Sequence, residues 1–441
     1  MGGQALGCLL LGRGWGSIGW VTVTDTHGAV DAVWRIESAR IIAGVARIVR
    51  DVGLAEELAQ DALVAALEQW PESGVPNNPG AWLMAIAKRR AIDLIRRKET
   101  YQRKLAEMGH ELEIDGGAED SVEEQVETIL EDTIEDDLLR LVFTACHPVL
   151  TTDARVSLTL RLIGGLKTDE IARAFLAPEA TIAQRIVRAK RNLAKAEVEF
   201  EVPTGDDLIE RLSSVLEVIY LIYNEGYSAT AGDDWMRPAL CNEALRLGRL
   251  LAELMPGESE VHGLLALMEL QASRANARIG PTGEPVLLLD QNRRRWDRLL
   301  IRRGLESIDR AWSLEGTPGP YLLQAAIAAC HARAAEADDT DWARIAGLYA
   351  VLAEVVPSPV VELNRAVAIS MAFGPERGLV AVDALYDEPS LKDYHLLPSV
   401  RGDLLFKLGR LDEARAEFEK AAGLTRNERE RALLLDRAAA C

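Results

Sequence analysis

The residues best suited to chemistry in this 441-residue chain are cations gathered on the faces of helices. From Glu179 onward, Ile182, Ile186, Ala189 and Leu193 form one apolar stripe at helical spacing. The opposite side carries Ala180, Gln184, Arg188 and Arg191, flanked by Thr181 and Arg185. Glutamine and arginine are the side chains that make paired hydrogen bonds to adenine and guanine edges, whereas Lys190, Arg191 and Lys195 suit phosphates. Upstream, Thr168-Asp169-Glu170-Ile171-Ala172-Arg173-Ala174-Phe175 reads as a short helix, with Thr168 at its cap and two acids in its first turn. Leu176-Ala177-Pro178 breaks it. A short helix, a tight turn and a longer helix with a polar, basic outer face is the helix-turn-helix pattern, whose second helix lies in the major groove. The turn lacks the glycine common there, and two helices of a non-binding bundle are the competing reading.

A second basic element runs from Trp82 to Lys98. At 100° per residue, Leu83, Ala87, Ala91 and Leu94 share an inward face. Trp82, Arg89, Asp93 and Arg96 share another, and Lys88 and Arg97 add positive charge. Cations beside an aromatic ring suit single-stranded DNA, because phosphates are neutralised while an unstacked base rests on the ring. The plainer alternative is a solvated charged face with Trp82 packed in the core.

Signals for other chemistry are absent. Six histidines are scattered without an H-E-x-x-H pair, and neither a P-loop nor a G-x-S-x-G elbow occurs. The five cysteines are never spaced C-x-x-C, which argues against a disulfide framework or a Cys-based zinc site and fits a reducing cytoplasm. Cys146 and His147 are neighbours, and neighbours on a helix face different ways. Gly14, Gly16 and Gly19 make a formal G-x-G-x-x-G, but no strand precedes it and no helix directly follows. We therefore expect no catalytic residue, no cofactor and no metal. Glu225-Gly226 reads as a helix end rather than a catalytic acid. The Arg293–Arg303 cluster reads by default as a solvated face, with a partner, linker acids or phosphate as alternatives. No apolar run is long enough to cross a bilayer, so no membrane partner is expected.

The elements that must position these residues are almost all helical, since Ala, Leu, Glu and Arg dominate. A glycine-rich leader over 1–28 is expected to be disordered, the mark of a start codon misplaced upstream. A first helical block spans 29–104, with a turn-rich loop over Pro71–Gly80 and Pro79 suited to a first helical turn. An acidic linker follows over 105–136, without Lys or Arg between Lys104 and Arg140. A second block, 137–198, holds the helix-turn-helix, and a helical extension covers 199–441. There Gly402, Leu405, Gly409, Ala414, Phe418 and Ala421 fall at tetratricopeptide spacing, with Gly374 one repeat earlier. The net charge of -19 excludes a protein that coats nucleic acid along its whole length, but not one with local basic faces.

Taken in order, these elements resemble a bacterial RNA polymerase sigma factor. Ala55-Glu56-Glu57-Leu58-Ala59-Gln60-Asp61-Ala62 is similar to the polymerase-binding helix of that family. Trp82–Lys98 looks like the region that opens and reads the minus-ten element, and Thr168–Leu193 like the region-four module that reads the minus-thirty-five element. With only an acidic linker between them, the chain resembles the extracytoplasmic-function (group IV) sigma factors, in the subgroup with a tetratricopeptide-like C-terminal extension. Asn224-Glu225-Gly226-Tyr227 and Arg293-Arg294-Arg295-Trp296-Asp297 look like blocks of that extension. The resemblance implies an all-α fold of two sigma modules, the acidic linker and a repeat-like domain. It implies core RNA polymerase and promoter DNA as partners, a cytoplasmic location, and no enzymatic step of its own. Glu56, Glu57, Gln60 and Asp61 would face the polymerase, with Glu57, Gln60 and Asp61 on the clamp helices of its largest subunit. Arg89, Asp93 and Arg96 would lie near the melted strand. A protein regulator acting through the extension is a further expectation. The alternatives are a helix-turn-helix regulator whose repeat domain is a sensor and which does not join polymerase, and a repeat scaffold whose N-terminal helices merely pack.

Overall fold

A computed structural model describes residues 23–109, 134–175, 177–227, 236–280, 286–425 and 428–441. The Gly14–Gly19 pattern and most of the acidic linker lie outside these. Among the described residues the protein is all α-helix and short 3-10 turns, without a β-strand.

Three helices form the first block: α1 (Val23–Val49), α2 (Val52–Ser73) and α3 (Pro79–Gly109). Helix α1 thus begins inside the segment expected to be a leader. It ends at Arg50, whose φ of 53° turns the chain so that the Asp51 carboxylate can accept the Leu54 N–H at 3.0 Å and cap α2. Helix α2 continues through Pro71 rather than stopping there. That proline lies in the last turn, where its missing N–H removes few bonds, and buried Trp70 anchors the turn until Gly74 (φ 80°) ends it. Pro79 opens α3 as expected, with the Asn78 side chain accepting the Ala81 N–H at 3.1 Å. Leu83, Ala87 and Ala91 are fully buried, as their period requires.

The second block comprises α4 (Ile134–Ala145), α5 (Thr152–Leu162), α6 (Thr168–Ala174) and α7 (Glu179–Lys195). Thr168 is the first helical residue of α6 rather than its cap. Lys167 holds the cap position, and Glu170 reaches back to accept its N–H at 2.8 Å.

Beyond it, α8 (Asp206–Tyr227), α9 (Pro238–Leu254) and α10 (Ser259–Ala272) are not a separate body. A single hydrophobic core runs from Val30 on α1 through all the helices to Met268 on α10. Helix α1 packs on α4 as well as on α2 and α3, and α5 packs on both α7 and α8. The sequence pointed to two blocks held apart by their linker. The structure instead packs them together, because their apolar faces are wide enough to cover each other.

Polar contacts reinforce the junction with the extension. Ser214 donates to the Cys146 carbonyl at 2.5 Å, Arg246 to that of Ile163 at 2.6 Å and Arg237 to that of Ala174 at 2.6 Å. Helix α8 ends at Tyr227, directly after Gly226, as expected, and Gly226 also allows a close approach: a Cβ there would lie 2.6 Å from the Cys241 backbone nitrogen.

The remainder is a row of helices: α11 (Arg298–Ser313), α12 (Pro320–Arg333), α13 (Trp342–Val355), α14 (Pro359–Phe373), α15 (Pro375–Asp383), α16 (Leu396–Lys407), α17 (Leu411–Leu424) and α18 (Glu428–Ala439). Three further cores lie between successive members, the nearest-neighbour packing of a solenoid. Gly409 (φ 74°) turns α16 into α17, and Gly402 faces the Phe418 ring.

Candidate nucleic-acid interface

On α7 the stripe Ile182, Ile186, Ala189 and Leu193 is buried, which leaves Ala180, Gln184, Arg188 and Arg191 exposed. Thr181 and Arg185 sit at the margin, where Arg185 pairs with Asp153 at 3.0 Å. Amide and guanidinium groups one turn apart on an open face are the groups that read base edges in a major groove.

On α3, Arg89, Asp93, Arg96 and Arg97 are exposed. Trp82 does not stand free beside them: it is half-buried, edge-on to Trp70 at 5.4 Å. Lys88 is half-buried too, and burial, then the Arg47 charge, push its ammonium below its ordinary pKa. The free aromatic on this helix is Tyr101, 67% exposed beside Arg96, Arg97 and Thr100. The i, i+4 step from Arg97 to Tyr101 is visible in the sequence and is the signal for this exposed ring.

On α2, Glu57 and Asp61 are exposed, and Asp61 meets Arg90 at 3.1 Å. Glu56 departs from expectation. It is 3% exposed, accepts the Arg161 Nε–H at 2.7 Å, pairs with Lys190 of α7 and takes a hydrogen bond from Gln60 at 2.7 Å. In this arrangement Glu56 joins the first block to the second and cannot touch another protein. A second bridge, Arg35 to Glu170 at 2.5 Å, links α1 to α6. Beside the Glu56 cluster lies a cleft of about 740 Å³, whose wall includes Arg47, Arg50, Arg140 and Lys190 with Glu197 and Glu201.

No group of three His, Cys, Asp or Glu side chains is placed to hold a metal among the described residues. Cys146 is buried against Thr159 at 3.3 Å, and burial pushes its thiol up to about 11. Among the described residues no helix is long and apolar enough to cross a membrane.

Residues 36–100 match the model for sigma-70 region 2, and residues 140–193 match that for sigma-70 region 4. The ECF RNA polymerase sigma factor SigK of Mycobacterium bovis (strain BCG / Pasteur 1173P2) is 30% identical over 159 residues, which are 35% of this chain and 78% of that protein. The chain belongs to the ECF sigma factors of RNA polymerase. It directs transcription initiation, binds core polymerase and promoter DNA, and comes from a family of non-catalytic transcription factors. SigK of Mycobacterium ulcerans (strain Agy99) is likewise 30% identical over 158 residues, 35% of this chain and 78% of that protein. Residues 211–312 of this sigma factor match a family of unknown function (DUF6596), which takes in both blocks noted in the extension. An uncharacterized protein of Rhizobium meliloti (strain 1021), R00370, is 43% identical over 412 residues, 93% of this chain and 95% of that protein. The extension is therefore shared along with the sigma modules.

Proposed function

We propose that this sigma factor alternates between the closed arrangement seen here and an open one that engages polymerase and promoter together. The observation that carries this reading is Glu56. A carboxylate on the helix that resembles the polymerase-binding element is held by Arg161 and by Lys190, which sits on the DNA-reading helix. While that cluster stands, α2 and α7 are tied to each other.

In the open form, Glu57, Gln60 and Asp61, joined by the released Glu56, face the polymerase. Gln184 and Arg188 read duplex base edges, with Ala180, Thr181, Arg185 and Arg191 around them. Arg89, Asp93, Arg96 and Arg97 meet the melted strand, with Tyr101 rather than Trp82 as the stacking ring. The extension shares the core of the second block, which supports a regulatory role: it stiffens region 4 and so biases opening. A protein regulator acting on that body fits the same reading, as does a cytoplasmic location.

The test is transcription from a defined promoter by core polymerase with the full-length chain. Run-off product that depends on the chain and falls with Arg188→Ala supports the reading. No stimulation, or stimulation indifferent to α7, overturns it.

A further inference from the structure

The extension contains a cavity of about 220 Å³ between α10, α12 and α13, closed by the turn that carries Leu288 and Trp296. At roughly 30 Å³ per water, it has room for several waters or one small organic ion. Leu267, Leu270, Leu288, Ile327 and Ala328 make one part of its wall apolar.

The rest of the wall, among the described residues, is polar and without a carboxylate: Gln271, Arg274, Trp296, Gln324, His331 and Tyr349. Arg274 donates to the Tyr227 hydroxyl at 2.6 Å and lies 5.9 Å from the Trp296 ring centre, and among the described residues no ion pair to an acidic side chain is seen for it. Behind the wall, buried Arg293 donates, among the described residues, to the carbonyls of His331 and Ala334 and to the Thr340 hydroxyl, and the Glu336 and Asp339 charges act on it from farther off. It stacks on Trp296 with its guanidinium 4.9 Å from the ring centre. This cluster, expected to be a solvated face, therefore places a guanidinium in the core.

Arg274, with no acidic partner among the described residues, makes this partly apolar cavity attractive to an anion. Two further polar atoms point the same way. Trp296 is 4% exposed, and its Nε1–H has no acceptor. His331 Nδ1 is also buried without a partner. Buried polar atoms are seldom left unpaired, and an indole N–H can only donate. Burial, then Arg274 and Arg293, push the His331 ring down to about 4, so at neutral pH it adds no positive charge and can serve the ligand only as a neutral hydrogen-bonding group.

We propose that this cavity binds a small organic carboxylate with an apolar body, its carboxylate held by Arg274 and the Trp296 Nε1–H and its body by Leu267, Leu270 and Ile327. The site is built from residues of the extension alone.

Titrating the full-length protein with benzoate and hexanoate, against benzamide as the uncharged control, tests this by calorimetry and by the rise in Tm that a native-state ligand produces. Saturable binding of a carboxylate is expected, at least tenfold tighter than benzamide. Arg274→Gln should weaken it tenfold or more, and Trp296→Phe, which keeps a ring but loses the N–H, severalfold. Ala328→Met fills the cavity without touching either guanidinium, so it reports on the site even if Arg274→Gln does not fold. The proposal is overturned if neither carboxylate saturates below about 10 mM. It is equally overturned if benzamide binds as tightly, or if Trp296→Phe and Ala328→Met leave affinity unchanged.

Discussion

Replacing Arg161 by Met removes the guanidinium from the Glu56 cluster while keeping much of its volume. The Glu56 side chain is 4% exposed and would retain only Lys190 as a cationic partner. A hydrogen bond to a charged group contributes about 1.5–3 kcal/mol, and stripping a partner from a buried ion costs more. Arg161 is itself 23% exposed, so part of its attraction is already screened, and about 2 kcal/mol is a fair magnitude. Since 1.4 kcal/mol is a factor of ten, the balance between closed and open forms should move by roughly 30-fold. A protein that binds polymerase only when open gains affinity in proportion to the open fraction. Fluorescence anisotropy of labelled sigma factor with core polymerase should therefore show binding up to about 30-fold tighter, while Tm falls. Arg161 stands on α5 and reaches α2 through Glu56, so the gain comes from releasing that carboxylate. Arg35→Ala, which breaks an exposed bridge, should have the same sign at a few tenths of a kcal/mol. A lower Tm with unchanged or weaker polymerase affinity would refute the reasoning: the cluster would then hold the fold without competing with docking.

Other expectations follow from particular residues. Arg188→Ala should cost about 1–3 kcal/mol in promoter binding and relax preference at one base pair, with Tm unchanged because the side chain is exposed; a uniform loss across sequences would make it a phosphate contact. Gly226→Ala should lower stability by about 1–3 kcal/mol, since its Cβ would meet the Cys241 backbone at 2.6 Å; thermal melts read this, and an unchanged Tm would contradict the tight α8–α9 crossing. The folded His331 ring takes its proton at about 4 rather than at its ordinary 6.5, so as pH falls the unfolded chain is protonated first. Its contribution is fully present above pH 6.5 and is lost towards pH 4, by a few kcal/mol at most. Urea midpoints between pH 7 and 5 should fall less steeply in His331→Gln, and equal slopes would rule the ring out as the cause. A chain ended at Val202 would uncover aliphatic residues such as Val142 and Ile163 at about 1.5–3 kcal/mol each, against a total stability of about 5–15 kcal/mol. It should aggregate on size exclusion, and a stable monomer would show that the sigma modules do not need α8 and α9.

Periodicity alone determined the helical class, the inward faces of α3 and α7 and the outward placement of Gln184, Arg188 and Arg191, because a helix repeats every 3.6 residues whatever it packs against. Pro79 and the glycine at 409 likewise acted locally, and so could be read locally. The sequence could not show that Glu56 would be buried, since its partners Arg161 and Lys190 lie more than a hundred residues away and only tertiary packing selects them from among the chain's fifty cations. The same holds for Trp82, drawn inward by Trp70, and for Arg293, drawn inward by carbonyls at the end of α12. Charge and amphipathicity are properties of a segment, whereas burial is a property of what comes to lie on top of it. That second fact is decided by the packing of the two blocks on each other and on the extension.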